Sequence, residues 1–111
     1  MDISEAQKDV DTWIRTYGNR YFDEMTNLAN LMEETGELAS LMSRHFGEQS
    51  FKEGKKPKDI HSALSDEMAD ILWIILALSN QMNIDLNEAL MNNIRKKTER
   101  DSDRHLRNEK L

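Results

Sequence analysis

The stretch ILWIILAL, Ile71 to Leu78, places eight apolar residues in a row in a chain that is 32% charged. At about 100° per residue these eight side chains circle a helix completely, leaving no face for water. Such a helix must be covered on every side by other helices or by a second subunit. The run is far below the roughly 18 apolar residues that a membrane span needs, so the burial it demands is protein burial. One proline and four glycines in 111 residues, among many strong helix formers, make an all-α fold of one domain, residues 1–111, the expectation.

Four helices follow from the apolar spacing. Ser4 with Gln7 forms a capping-box pattern ahead of Val10, Trp13 and Ile14, and Gly18-Asn19 marks the end of the first helix. A second helix starts between Asp23 and Thr26 and ends before Gly47, with Leu28, Leu31, Met32, Leu38, Ala39 and Met42 read as one buried stripe. Residues 47–61, GEQSFKEGKKPKDIH, hold the only proline and four lysines and read as a crossing loop. The third helix begins near Asp59 or Ser62 and runs to about Met82. Asp85 with Glu88 opens a fourth, with Leu86, Leu90 and Ile94 as its apolar positions. The basic tail from about 102 is too polar to predict as ordered.

The absence of cysteine excludes disulfides, zinc-thiolate sites and thiol catalysis. No secretory or transit signal is visible, so a cytoplasmic protein without a membrane partner is expected. The net charge of −6 argues against a nucleic-acid polymer as partner. Its distribution is uneven: residues 1–94 carry 8 Lys/Arg against 17 Asp/Glu, and residues 95–111 carry 7 against 4.

The acids concentrate the functional question. In LMEETGEL, residues 31–38, Glu33, Glu34 and Glu37 share one sector of helix two, but the apolar stripe lies about 200° from Glu33. That placement alone favours a solvated face. Glu67 and Asp70 differ, because they stand in line with Ala63, Leu64, Ile71, Ile74 and Leu78 on helix three. Ionised carboxylates there need nearby positive charge, and the basic residues of the body lie in loops or at helix ends. A divalent ion answers the need. Oxygen-only ligands, with no histidine at ligand spacing, suit magnesium, with manganese as the second choice.

EETGE at 33–37 followed by EMAD at 67–70 resembles the EExxE…ExxD pattern of the MazG-like all-α nucleoside triphosphate pyrophosphohydrolases. This superfamily also includes dimeric dUTPases and phosphoribosyl-ATP pyrophosphohydrolases, and the likeness spans Trp13 to about His105. The resemblance implies a four-helix MazG-like bundle completed by homo-oligomerisation, as a homodimer or homotetramer. It implies magnesium-dependent cleavage of a nucleoside triphosphate between the α and β phosphates, for nucleotide-pool control or house-cleaning. Glu34, Glu37, Glu67 and Asp70 then match the metal ligands, Glu33 and Glu34 the catalytic acids, and Lys96 and Arg100 the triphosphate contacts. Thr98 and His105 depart from the residues common in relatives, and the 47–61 loop is the least transferable segment. The rival readings are a non-catalytic helical module that binds nucleotide or metal, and phosphoribosyl-ATP hydrolysis on the same fold.

Other features read more plainly. The methionines of helix two follow its stripe and are expected in the core. Trp13 and Trp73 are expected in core or subunit contacts, with base stacking by Trp13 the lesser reading, and His45 and His61 at the surface. Gly36 weakens a helix by about 1 kcal/mol relative to alanine, so it is expected to make room for a close neighbour or ligand.

Overall fold

The computed structural model describes residues 1–111 as four helices and no strand: α1 (Ile3–Thr16), α2 (Glu24–His45), α3 (Ile60–Gln81) and α4 (Leu86–Leu106). Each helix opens on an aspartate whose carboxylate accepts from the backbone amide three residues on. The pairs are Asp2 with Glu5, Asp23 with Thr26, Asp59 with Ser62 and Asp85 with Glu88. Such caps satisfy an orphan N–H and place negative charge at the positive end of the helix dipole.

The expected cap at Ser4 is thereby corrected. Asp2 starts α1 two residues earlier, which brings Ile3 and Ala6 onto the core. Gln7, released from capping, ties α1 to the α3–α4 turn. Its Nε2 donates to Ser79 Oγ and to the Ile84 carbonyl, both at 2.8 Å, and its Oε1 accepts from the Leu86 amide at 3.2 Å. The tail expectation is corrected as well, since α4 continues past 102 to Leu106, where Asp101 pairs with Arg100 and Arg104 and Asp103 with Arg107.

Helix α3 is central. Helices α1 and α2 both pack along it, whereas α4 packs on α1. The α1–α3 contact holds the core of Val10, Ile14, Leu76 and Ala77. The α2–α3 seam differs from the predicted one. Helix α2 turns toward α3 the face carrying Asn27, Asn30, Leu31, Glu34, Leu38 and Leu41, which lies about 90° from the predicted apolar stripe. Met25, Leu28, Met32 and Met42 are left exposed. Methionines 25, 32 and 42 are therefore surface residues in the single chain, and the rotation carries Glu34 into the seam.

The single chain is open. Only seven of 111 residues are buried. Its radius of gyration is 17.7 Å, against about 13 Å for a compact chain of this length. The accessible surface is 8976 Å² at a mass of 13.0 kDa, where about 6,300 Å² is usual for a monomer of that mass. Leu72 and Ile75 of the apolar run remain exposed, together with Met68, Leu90, Met91 and Ile94. No helix is long and apolar enough to cross a membrane.

Gly36 faces open space, and a Cβ built there meets nothing within 4 Å. The close neighbour expected from sequence is absent from the chain's own packing. Replacing Gly36 with alanine should therefore stabilise the fold by about 1 kcal/mol through helix propensity, raising the melting temperature by about 4 °C or more. Thermal denaturation of Gly36→Ala measures this directly, and a lowered melting temperature would mean that another surface covers Gly36.

Candidate metal centre

The helical repeat brings Glu34 of α2 opposite Glu67 and Asp70 of α3. One carboxylate oxygen from each lies within 4.8 Å of the others. Glu67 and Asp70 share a face because they are three residues apart, and the rotation of α2 supplies the third acid. Glu34 and Glu67 are half-buried in the seam, and Asp70 opens to solvent.

The electrostatics of this arrangement are unfavourable without a cation. Oε2 of Glu34 and Oε2 of Glu67 are both buried and have no hydrogen-bond partner. Burial is the main cause that pushes the Glu67 carboxyl up to about 7, and the contact with Glu34 and the charges of Glu37 and Glu34 act in the same direction. For Glu34 the contact with Glu67 favours the ionised form. Burial and the charges of Glu37 and Asp70 outweigh it, and its pKa is raised. Two carboxylates in contact hold a proton between them when nothing else neutralises them. Their unpartnered oxygens fit a divalent ion with a preference for oxygen ligands.

The predicted acids separate on this geometry. Glu34, Glu67 and Asp70 come together. Glu37 stands beside them, close enough for its charge to act on both glutamates, but it is exposed and contributes no oxygen to the three-residue cluster. Glu33 is exposed and lies outside the cluster. Neither Lys96 nor Arg100 forms an ion pair with any of these acids. Arg100 is held by Asp101 through two hydrogen bonds of 2.9 and 2.8 Å.

Two cavities flank the acids. On one side Glu34 closes a cavity of about 530 Å³ whose walls include Trp13, Tyr21, Phe22, Trp73 and Asn30. Trp13 and Trp73 meet edge to face, with ring centroids 5.2 Å apart at 88°. Trp13 is 48% exposed. Of the two contacts expected for the tryptophans, burial in the core of the single chain is not what is found: they form a wall next to the acids. The loop behind this wall is fixed by polar bonds. Buried Asn27 donates to Gln81, Gln81 donates to the Phe22 carbonyl, and the Tyr21 hydroxyl donates to Asp11 while accepting from Asn80. Asn27 and Asn30 lack a sequence signal of their own, because their burial depends on the rotation of α2. On the other side Glu37 and Glu67 line a cavity of about 690 Å³ together with Ser40, Leu41, Lys55, Ala63 and Asp66.

The family described as the MazG nucleotide pyrophosphohydrolase domain matches residues 22–105. An uncharacterised protein of Bacillus subtilis (strain 168), YpjD, is 32% identical over 107 residues, covering 96% of this chain and 93% of its own. The crystal structure of Bacillus subtilis YpjD superposes with a TM-score of 0.73 at 29% identity, covering 86% of this chain and 94% of that one. A Bacillus-conserved MazG protein described as a nucleotide pyrophosphohydrolase gives the same TM-score and identity over 93% of this chain and 96% of its own.

The raised carboxyls make a definite pH prediction for the metal-free protein. Between the ordinary glutamate value of 4.5 and about 7, the folded state holds a proton at Glu67 that the unfolded state has released. Stability contributed by this group is therefore complete at low pH and is lost as pH rises through the folded value. In the presence of chelator, the melting temperature should fall between about pH 5 and pH 8, and Glu67→Gln should flatten that decline. Magnesium added at about pH 8 should raise the melting temperature of the native protein by binding the folded state.

Proposed function

The chain belongs to the MazG nucleotide pyrophosphohydrolase family, and from that premise we propose that it hydrolyses a nucleoside triphosphate to the monophosphate and pyrophosphate with magnesium bound at Glu34, Glu37, Glu67 and Asp70. One observation carries this reading: the buried, unpartnered oxygens of Glu34 and Glu67 beside Asp70 lie between an aromatic cavity and a polar one. A nucleoside and its phosphates need just such a pair of environments on either side of a charge-neutralising centre.

A divalent ion held there supplies charge neutralisation on the phosphate oxygens and a water acidified for attack. The chain's own part is placement. The aromatic cavity takes the base, with Trp13 and Trp73 offering ring faces or edges and Asn30 a polar contact. This orientation presents the α phosphorus to the acids of the seam. Water adds to that phosphorus, and the bond to the α–β bridging oxygen breaks with its electron pair leaving on pyrophosphate. The water's proton is taken by an acid of α2, Glu34 or its neighbour Glu33. Lys96 and Arg100, one turn apart on α4, are assigned to the triphosphate in an assembled oligomer.

Assembly is the second half of the proposal. The excess surface, about 2,700 Å² over a compact monomer, exceeds the roughly 800 Å² that each partner buries in a stable complex. We assign it to a homodimer or homotetramer joined through the exposed apolar residues of α2, α3 and α4.

Two measurements follow. Pyrophosphate release from a panel of ribo- and deoxynucleoside triphosphates should require magnesium or manganese. Glu67→Gln and Asp70→Asn should each lower kcat/KM by about 100-fold or more, and Glu33→Gln should cost less than Glu34→Gln; release of no pyrophosphate from any triphosphate defeats the proposal. Light scattering at micromolar concentration should give at least twice the mass of one chain, and a monomeric mass would defeat the assembly.

A further inference from the structure

The cavity on the Glu37 side of the acids presents an electrostatic problem. Its wall carries Glu37, Asp66 and Glu67, and an anion entering it meets three carboxyl groups. Lys55 is the only cationic residue in that wall. It belongs to the loop between α2 and α3, which sequence reasoning treats as a connection.

The loop holds Lys55 in place by backbone geometry. Its amide donates to the Lys52 carbonyl at 2.9 Å, closing a four-residue turn. Gly54 occupies the third position with φ of 74°, a conformation that side-chain-bearing residues rarely adopt. Lys55 therefore leaves the turn at a set point on the wall of the cavity that Ala63 also lines. The ammonium makes no ion pair within 4.0 Å, although three acids line the same cavity. An unpaired lysine facing a centre built for a divalent ion is available to an anion. Lys52 and Lys56, its neighbours in the loop, line a different cavity with Arg44 and His45.

We propose that Lys55 binds the β and γ phosphates of the substrate and holds the pyrophosphate as it leaves, from the turn that places it in the cavity of Glu37 and Glu67. This assignment rests on the hydrolytic reading above. When the bond between the α phosphorus and the bridging oxygen breaks, the electron pair and the added negative charge pass to pyrophosphate. A flexible ammonium with three donors can follow those oxygens as their charge grows. The aromatic cavity and the Lys55 cavity lie on opposite sides of the acids, so the assignment also gives the substrate a direction, base toward Trp13 and leaving group toward the α2–α3 loop.

The test compares the native protein with Lys55→Ala, Lys55→Arg and Lys56→Ala, using the best triphosphate of the panel and inorganic pyrophosphate as a product inhibitor. Lys55→Ala should lower kcat/KM by about tenfold to a hundredfold, the range for one lost charge-assisted contact. It should weaken inhibition by inorganic pyrophosphate by a similar factor, with melting temperature and manganese affinity unchanged. Lys55→Arg should recover most of both effects, and Lys56→Ala should match the native protein. If the native protein releases pyrophosphate but Lys55→Ala alters neither kcat/KM nor pyrophosphate inhibition, the assignment is wrong and the hydrolytic reading stands. An equal loss in Lys56→Ala would also overturn it, because a diffuse field of the loop would then explain the effect. If the native protein hydrolyses no triphosphate, the reading of function fails and Lys55 loses its role with it.

Discussion

The α2–α3 seam closes over carboxylates, and much of the structure is arranged around that costly contact. Two glutamates with buried oxygens and no donor would destabilise a small helical protein if both were ionised. The cost is limited by placing Asp70 at the solvent edge and by letting the pair hold a proton near neutral pH. A cation relieves the same repulsion more fully. On the proposed reading, the charge crowding that weakens the metal-free fold is the source of affinity for the cation, and the seam couples stability to occupancy.

Around this seam the polar side chains act as struts. Gln7 reaches from α1 to the start of α4, and Asn27, Gln81, Tyr21, Asn80 and Asp11 link the α1–α2 loop to the C-terminal half of α3. These bonds hold the aromatic wall against the acids without a large apolar core behind it. The single chain buries only Val10, Ile14, Ile74, Leu76 and Ala77 among its apolar residues. In the proposed oligomer, much of the hydrophobic contribution to stability comes from contacts between chains, made by the exposed methionines and leucines of α2, α3 and α4.

The helices were legible because their signals are local. Aspartates 23, 59 and 85 cap where the apolar period begins, and Gly47 follows the end of α2. The cap at Asp2 was not separable from the pattern at Ser4, since both precede the same apolar residues. The acids of α3 declared themselves through their apolar neighbours. Glu34 did not, because a helical wheel centred on hydrophobicity points α2 about 90° away from the face it buries. Hydrophobicity points to the face that the proposed oligomer would bury, whereas the single chain turns a mixed face inward. Lys55 was invisible for a different reason: its position depends on a turn in a loop whose path no periodicity encodes.

The two tryptophans carry a final consequence. Trp13 and Trp73 are the only indoles in the chain, and both line the same cavity wall in mutual contact. The intrinsic tryptophan fluorescence of the protein therefore originates entirely beside the acids. Any molecule that fills that cavity or displaces its water changes the polarity around both indoles at once. The protein carries its own optical reporter, positioned by the same packing that forms the site.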